Sequence, residues 1–392
     1  MSIDDDLTFR ILHLDSGREW RGGQQQVLYL SGELSARGHR SVIMTPKGSP
    51  LAARARDAGL ALREISYHGA GDPIAIHQIV QMIQETEPHV LHVHTANAHS
   101  LAFLALHVPG LPKERKPFLI VHRRVDFPPG TDLLTRLRYT SEPSLFLGVS
   151  EAVCRILEKH GVPRERLRVV HSCIDPARID AHAEEDHDLA RADLSVPADA
   201  GLIGAIGALV PHKGHKHLLA AMPRILAARP DAHVVIFGEG PLEAELRRDC
   251  WERGLQSRVL FAGFRTDVAR FIHCLDVFAH PSVEEGMGTS ILDAMAARLP
   301  VVASRAGGIT EIVRHGETGW LVPPASPTEL AGAIVSLLED PRRRCAFGEA
   351  GRNLVETEFS VRALGDRVLD VYREATGIGP ACTGAAGSAQ KD

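Results

Sequence analysis

The sequence predicts an α/β protein built from two doubly wound parallel sheets. Short β-branched runs alternate with amphipathic helical stretches, the pattern of parallel strands joined by right-handed crossovers. The alternation stops in a polar stretch over residues 175–201 and then restarts. A chain of 392 residues is long for one domain and natural for two.

In the first half, strands are expected at "FRILHLDS" (9–16), "RSVIMT" (40–45), "VLHVHT" (90–95), "FLIVHRRV" (118–125), "SLFLGVS" (144–150) and "RVVHSCI" (168–174). Helices lie between them, as in "QQQVLYLSGELSARG" (24–38), where Val27, Leu28, Leu30 and Leu34 fall near one face. The polar stretch "DPARIDAHAEEDHDLARADLSVPADAG" (175–201) holds no strand. Beyond it come "LIGAIGAL" (202–209), "HVVIFGE" (233–239), "RVLFAG" (258–263), "DVFAHPS" (276–282) and "PVVAS" (300–304). This places Rossmann-like domains over residues 1–184 and 185–358, a separate amphipathic helix over 359–376, and a small, polar tail over 377–392 that is expected to be disordered.

Composition narrows the classes of function. A hydrophobic share of 44% and a charged share of 24% are those of a soluble globular protein. A net charge of -5 gives no global field for nucleic acid. The six cysteines show no Cys-x-x-Cys pair or disulfide spacing, which fits a reducing cytoplasm. The start "MSIDDDLTFR" is acidic where a secretion signal would be basic and then apolar. No apolar run approaches the ~20 residues that span a bilayer. A cytoplasmic protein is expected, at most peripheral at a membrane.

Ligands of open parallel sheets sit at the carboxyl ends of strands, so the post-strand loops carry the candidates. Gly22 and Gly23 precede the first long helix, where amides and the helix dipole favour a phosphate. A loop that needs positive φ angles is the alternative. "VLHVHT" puts His92 and His94 on one strand face, with His94 at the carboxyl end beside Asn97, His99 and Ser100. His94 is a candidate substrate contact or a core histidine. His89, His92, His94 and His99 cluster in sequence without an acid or thiol close by, which disfavours zinc.

In the second half, "GALVPHKGHKH" sets Lys213 and Gly214 after the first strand, where the ammonium can hold phosphate oxygens. The Walker spacing is absent. "FGEGPLEAEL" fits a dinucleotide fingerprint at Gly238 and Gly240, but Glu243 stands where a third glycine would be. "PSVEEGMGTSILDAMA" (281–296) places Glu285 before a glycine loop and Asp293 in the helix expected to start near Ser290. Backbone amides at Gly286, Met287, Gly288, Thr289 and Ser290 can approach a diphosphate. Carboxylates repel phosphate, so Glu285 and Asp293 must address hydroxyls on either side of it: a sugar and a ribose. The alternatives are a solvated loop for Glu285 and a capping box with Ser290 for Asp293.

These segments closely resemble retaining glycosyltransferases of family 4, which have the GT-B fold of two such domains facing across a cleft. The pattern Pro-Ser-x-x-Glu-Gly-x-Gly reads here as "PSVEEGMG". "LPVVASRAGGITEIV" (299–313), "HGETGWLVPP" (315–324), "LGVSEAV" (147–153), "GGQQQVLYLSGELSARGH" (22–39) and the Lys-Gly of "VPHKG" follow the family too. The resemblance covers about residues 8 to 376. It implies that Gly23 approaches the donor diphosphate, His94 the reacting sugar and Lys213 the donor phosphates. Glu285 then binds the sugar hydroxyls and Asp293 the ribose, while backbone around Phe264 and Arg265 edges the base. The helix at 359–376 is expected to return to the first domain. Two departures stand out: Ala208 replaces an arginine common in relatives, and Asp293 replaces a glutamate.

The expected function is therefore retaining transfer from a UDP-, GDP- or ADP-sugar to a glycan or glycolipid acceptor, without a metal or other cofactor. Cell-envelope polysaccharide or lipopolysaccharide assembly is the favoured process. The basic stretch "PKERKPFLIVHRRVDFP" (112–128), with Arg136 and Arg138, is a candidate contact for an anionic headgroup, or a solvated face. A nucleotide-sugar epimerase of the same fold and a non-catalytic nucleotide-sugar-binding protein are the rival readings.

Overall fold

Strands that read as apolar on both faces are covered on both faces. The computed structural model describes residues 8–109, 111–125, 128–130, 132–140 and 144–378, and its strands form two sheets. The first holds β1 (Arg10–Leu14), β2 (Arg40–Pro46), β3 (Ala61–Ile65), β4 (Val90–Val93), β5 (Phe118–Arg123), β6 (Ser144–Gly148) and β7 (Leu167–Val169), in the order β3-β2-β1-β4-β5-β6-β7. The second holds β8 (Leu202–Ile206), β9 (His233–Phe237), β10 (Val259–Gly263), β11 (Val277–His280), β12 (Val301–Ser304) and β13 (Gly319–Val322), in the order β10-β9-β8-β11-β12-β13. Every pairing in the second sheet is parallel, as are those from β3 to β5 in the first. Strand order reverses between β1 and β4 and again between β8 and β11, which creates a switch point in each sheet.

All eleven strands expected from the sequence form, and two more join them. β3, "ALREI", lies at a sheet edge and alternates exposed with half-buried residues, so it lacks the apolar run of a central strand. β13, "GWLV", is an edge strand of the second sheet and is only four residues long. The "RVVHSCI" strand is shorter than expected. After Val169 the chain leaves the sheet: the Ser172 amide meets the Met287 sulfur at 3.1 Å, and the Ile174 amide donates to Phe359 O.

The second sheet shows why its strands are continuous apolar runs. Ile203, Ala205, Val234, Ile236 and Val302 pack on one face with Leu218, Met222 and Ile334 from helices His215–Ala228 and Pro327–Leu338. Leu202, Val235, Phe237, Phe278 and Val301 pack on the other with Ile291, Met295 and Val355 from helices Thr289–Ala296 and Pro341–Glu358. On the first sheet, Val27, Leu30 and Leu34 of helix Gly22–Ala36 are fully buried.

The chain divides into two compact units. One draws on Met1–His122, Ser141–Phe146 and Gly365–Asp392, the other on Arg123–Thr140 and Leu147–Leu364. Residues 147–184, which the strand–helix rhythm groups with the first domain, thus fall in the second unit. There the Glu311 carboxylate accepts the Glu151 amide and His171 Nε2. The last helix, Val361–Thr376, belongs with the first unit from Gly365 onward, burying Val368, Leu369 and Tyr372. The expected disordered tail lies outside the described residues from 379 on. Among the described residues no helix is long and apolar enough to cross a membrane.

Arg352 ties three helices of the second unit together. Its guanidinium is nearly buried and donates to both Asp180 oxygens at 2.6 and 2.8 Å, to Glu356, and to Ala296 O at 2.8 Å. Arg352→Ala is expected to cost about 1.5–3 kcal/mol, as for loss of charge-assisted hydrogen bonds. Arg352→Lys should recover little of this, because one ammonium cannot reproduce the planar fork. Urea unfolding followed by circular dichroism measures both, and a full recovery by lysine would show that charge alone matters.

Candidate active site

At the second switch point, the loops after β8 and β11 are locked together through their backbones. The Val283 amide donates to His212 O at 2.8 Å. Gly214 (φ +67°) approaches Pro281 so closely that a Cβ there would lie 2.1 Å from its carbonyl oxygen. Only glycine meets both demands. The lock carries Lys213, at the end of a 3-10 turn, toward Glu285 in the next loop.

Lys213 Nζ lies 2.5 Å from Glu285 Oε2. The same oxygen meets His280 Nε2 at 2.9 Å and Ser282 Oγ at 3.2 Å. Burial opposes ionisation of Glu285, but the His280 hydrogen bond and the Lys213 ammonium outweigh it and hold the carboxyl well below its ordinary range. His280 is itself pushed down by burial, so Lys213 supplies the balancing positive charge. Beneath the loop His215 is driven to about 4, chiefly by burial, and stays neutral.

The backbone of Glu285 is also held. Gly307 has φ +50°, and a Cβ there would lie 1.9 Å from Glu285 O; the next amide, Gly308 N, donates to that oxygen at 3.0 Å. Sequence reasoning gave Gly307 and Gly308 no role, nor His280 and Ser282. The adjacent "AGG" after a strand was the available signal.

Helix Thr289–Ala296 starts one residue earlier than expected, with Gly288 (φ +85°) as its N-cap. The capping-box alternative fails. Ser290 Oγ donates to Ile206 O at 3.3 Å instead, and Asp293 Oδ1 receives Arg178 Nη2 at 2.5 Å. Burial pushes the Asp293 carboxyl up against the pull of Arg178. Gly286 and Gly288 are buried, and the Met287 side chain turns into the core.

The remaining candidates of this unit line the same sheet edge. Phe264 follows β10, Gly238 follows β9, Lys213 follows β8 and Glu285 follows β11, in the spatial order of the strands. Phe264 is 66% exposed, so an aromatic face stands open at that edge. Arg265 pairs with Asp267 at 2.8 Å and lies over the Phe271 ring. Ala208 is exposed on the β8 loop.

In the first unit, Gly22 and Gly23 are the first two residues of helix Gly22–Ala36, and neither has a positive φ. The positive-φ alternative therefore fails. Buried Asp15, just after β1, accepts from Gly17 N at 2.7 Å and from Gln24 Nε2 at 3.1 Å, shaping the turn that leads to the glycines. His94 follows β4, is buried, and shares a 3.0 Å hydrogen bond from its Nε2 to His13 Nδ1. Of the four histidines clustered in sequence, His89 instead accepts the Arg10 amide, and His99 packs against Phe146. His13, His92 and His94 bring one nitrogen each within 4.8 Å of one another. Sequence reasoning missed His13, although "ILHL" and "VLHV" carry matching histidines that prove to be register partners.

A fold of two parallel sheets with strand-end loops of this kind is that of GT-B proteins. Glycosyl transferases group 1 match residues 186–354, and Glycosyltransferase Family 4 matches residues 20–178. The chain thus carries a glycosyltransferase domain of each of these two families. It is 34% identical over 209 residues to a GDP-mannose-dependent monoacylated α-(1-6)-phosphatidylinositol monomannoside mannosyltransferase of Corynebacterium glutamicum, over 52% of this chain and 55% of the relative. It is 32% identical over 184 residues to a lipopolysaccharide core biosynthesis glycosyltransferase, LpsD, of Rhizobium meliloti, over 47% of this chain and 52% of the relative. The matches thus span about half the length of these relatives. Among solved structures, Anabaena HepE in complex with UDP-glucose superimposes with a TM-score of 0.79 at 22% identity, covering 93% of this chain and 100% of that one. A glycosyltransferase from Rickettsia africae does so with a TM-score of 0.81 at 18% identity, covering 94% and 98%.

Glu285 gives a pH prediction. A carboxyl held below its ordinary value of 4.5 contributes stability that is present above that pH and lost as pH falls through the folded-state value. Glu285→Gln should cost about 1.5–3 kcal/mol at pH 7. The gap between wild type and variant should stay level down to about pH 5 and then shrink. Paired urea titrations from pH 7 to pH 3 test this; a gap that is unchanged at pH 3 would place the depressed carboxyl elsewhere.

Proposed function

We propose that the protein is a retaining glycosyltransferase that moves a sugar from a nucleoside diphosphate to a glycan or glycolipid acceptor at the cytoplasmic face of a membrane, in cell-envelope assembly. The observation that carries the reading is the Lys213–Glu285 pair, fixed by two locked loops at a switch point. Lys213 offers a cation to a diphosphate, and the N-termini of helices Thr289–Ala296 and His215–Ala228 add amides and dipoles. Negative charge grows on the leaving diphosphate during transfer, and these groups stabilise it there. Glu285, kept ionised by Lys213 and hydrogen-bonded to His280 and Ser282, accepts from sugar hydroxyls. Asp293 accepts from the ribose, with Arg178 beside it. The base lies by Phe264 and Arg265.

His94 acts at the reacting sugar. Gly22 and Gly23 offer the first amides of their helix to the donor phosphates. The acceptor attacks from the side the diphosphate leaves, with a phosphate oxygen helping to take its proton, and no metal is needed. The mannosyltransferase and lipopolysaccharide relatives support the envelope assignment. Helix Leu133–Thr140 supports membrane contact, since Leu133 and Leu137 are exposed one turn apart with exposed Arg136 between them.

Calorimetry with UDP and GDP tests the donor site. Lys213→Ala should weaken nucleotide binding by roughly tenfold or more, the equivalent of about 1.5–3 kcal/mol. Asp293→Asn should weaken it while leaving the melting temperature nearly unchanged. Unchanged affinity in both folded variants would sink the assignment of this edge. Release of nucleoside diphosphate from UDP-glucose or GDP-mannose should persist in excess EDTA; a magnesium-reversible loss would contradict metal-free transfer. Conversion of the sugar without release would favour the epimerase. Binding without turnover of any donor or acceptor would favour the non-catalytic reading, which exposed Ala208 in place of an arginine permits.

A further inference from the structure

The central strands of the first sheet carry an unusual load. His13 on β1, His92 and His94 at the end of β4, and His122 on β5 are all buried, each at 5% exposure or less. Imidazoles in a sheet interior bury polar nitrogens where valine or leucine would pack without that penalty. They also stand at the switch point between β1 and β4.

Their geometry constrains one ring from two directions. His94 is held in its own plane by the 3.0 Å bond between its Nε2 and His13 Nδ1. Along its normal it lies against His92, with centroids 4.2 Å apart. His92 is backed by His122, nearly parallel at 6° and 5.5 Å. It is pinned in turn by a 2.7 Å hydrogen bond from its Nδ1 to the hydroxyl of Tyr372, 280 residues away on the C-terminal helix. Tyr372 is fully buried and sits edge-on to Phe9.

We propose that His13 and Tyr372 are positioning residues for sugar transfer: His13 sets which nitrogen of His94 carries the proton, and Tyr372, through His92, sets the orientation of its ring. Whichever of His13 and His94 donates in their shared bond, the tautomer of one dictates that of the other. A histidine that must offer either an N–H or a lone pair to a sugar works in only one tautomer. The C-terminal helix therefore does more than cover apolar surface. This inference rests on the reading of His94 as the residue at the reacting sugar.

The test uses the full chain, with nucleoside diphosphate release from UDP-glucose and GDP-mannose (water as acceptor) and 15N spectra of the histidine rings. Tyr372→Phe keeps the ring against Phe9 and removes only the hydroxyl. Its kcat should fall about 2- to 12-fold, the worth of one net hydrogen bond, with the donor KM unchanged. His13→Ala should lower kcat further and shift the His94 ring nitrogens. His13→Asn, whose amide can stand in for Nδ1, should restore part of both. If His94→Ala abolishes turnover while the His13 and Tyr372 variants keep the parent kcat and His94 spectrum, the positioning role is wrong and the site stands. If His94→Ala turns over like the parent, the site reading falls and this one with it. Stoichiometric zinc in the purified protein, lost in His13→Ala, would also overturn it, since the nitrogens would then bind metal instead of each other.

Discussion

The charge balance at Glu285 is the constraint on which the second unit's architecture depends. A buried carboxylate survives as an anion only with partners, and among the described residues it has Lys213, His280 and Ser282. Each partner arrives by a different route. Lys213 comes from the β8 loop, His280 from the end of β11, and Ser282 from the turn beyond. The glycines around them follow from that convergence. Gly214 lets the lysine loop lie on Pro281, and Gly307 lets the β12 loop lie on Glu285 itself. Bulk at either position would push the carboxylate from its partners.

Parallel-sheet topology explains why this convergence occurs at all. Neighbouring strands β8 and β11 are distant in sequence, and the reversal of strand order leaves their carboxyl-end loops side by side with no helix between. The same reversal at β1 and β4 brings His13 beside His92 and His94. Two sheets with one wiring thus produce two polar clusters. One is built on an ion-paired carboxylate, Glu285, with Lys213, His280 and Ser282 around it. The other is made of buried imidazoles joined by a hydrogen bond and ring contacts.

Asp293 shows how local chemistry is redistributed by tertiary contacts. Its position three residues after Ser290 reads as a helix cap, yet Gly288 is the N-cap and Ser290 turns to Ile206. Arg178, from a short helix in the polar stretch, reaches the carboxylate instead. The shorter acid is therefore met by a cation that a reading of the loop alone does not suggest.

The sequence by itself determined the fold class, eleven of the strands and the family, because continuous apolar runs and glycine-rich turns are local properties read within a few residues. It missed β3, whose exposed positions break the apolar run, and β13, whose apolar run is only four residues long. It also named Lys213, Glu285, His94 and Asp293 as candidates from their places after strands. Only the tertiary structure decided which of these meet. Lys213 and Glu285 are 72 residues apart, His13 and His94 are 81 apart, and His92 and Tyr372 are 280 apart. Such pairs are set by strand order and register, which depend on how the whole sheet closes and leave no periodic trace in either segment.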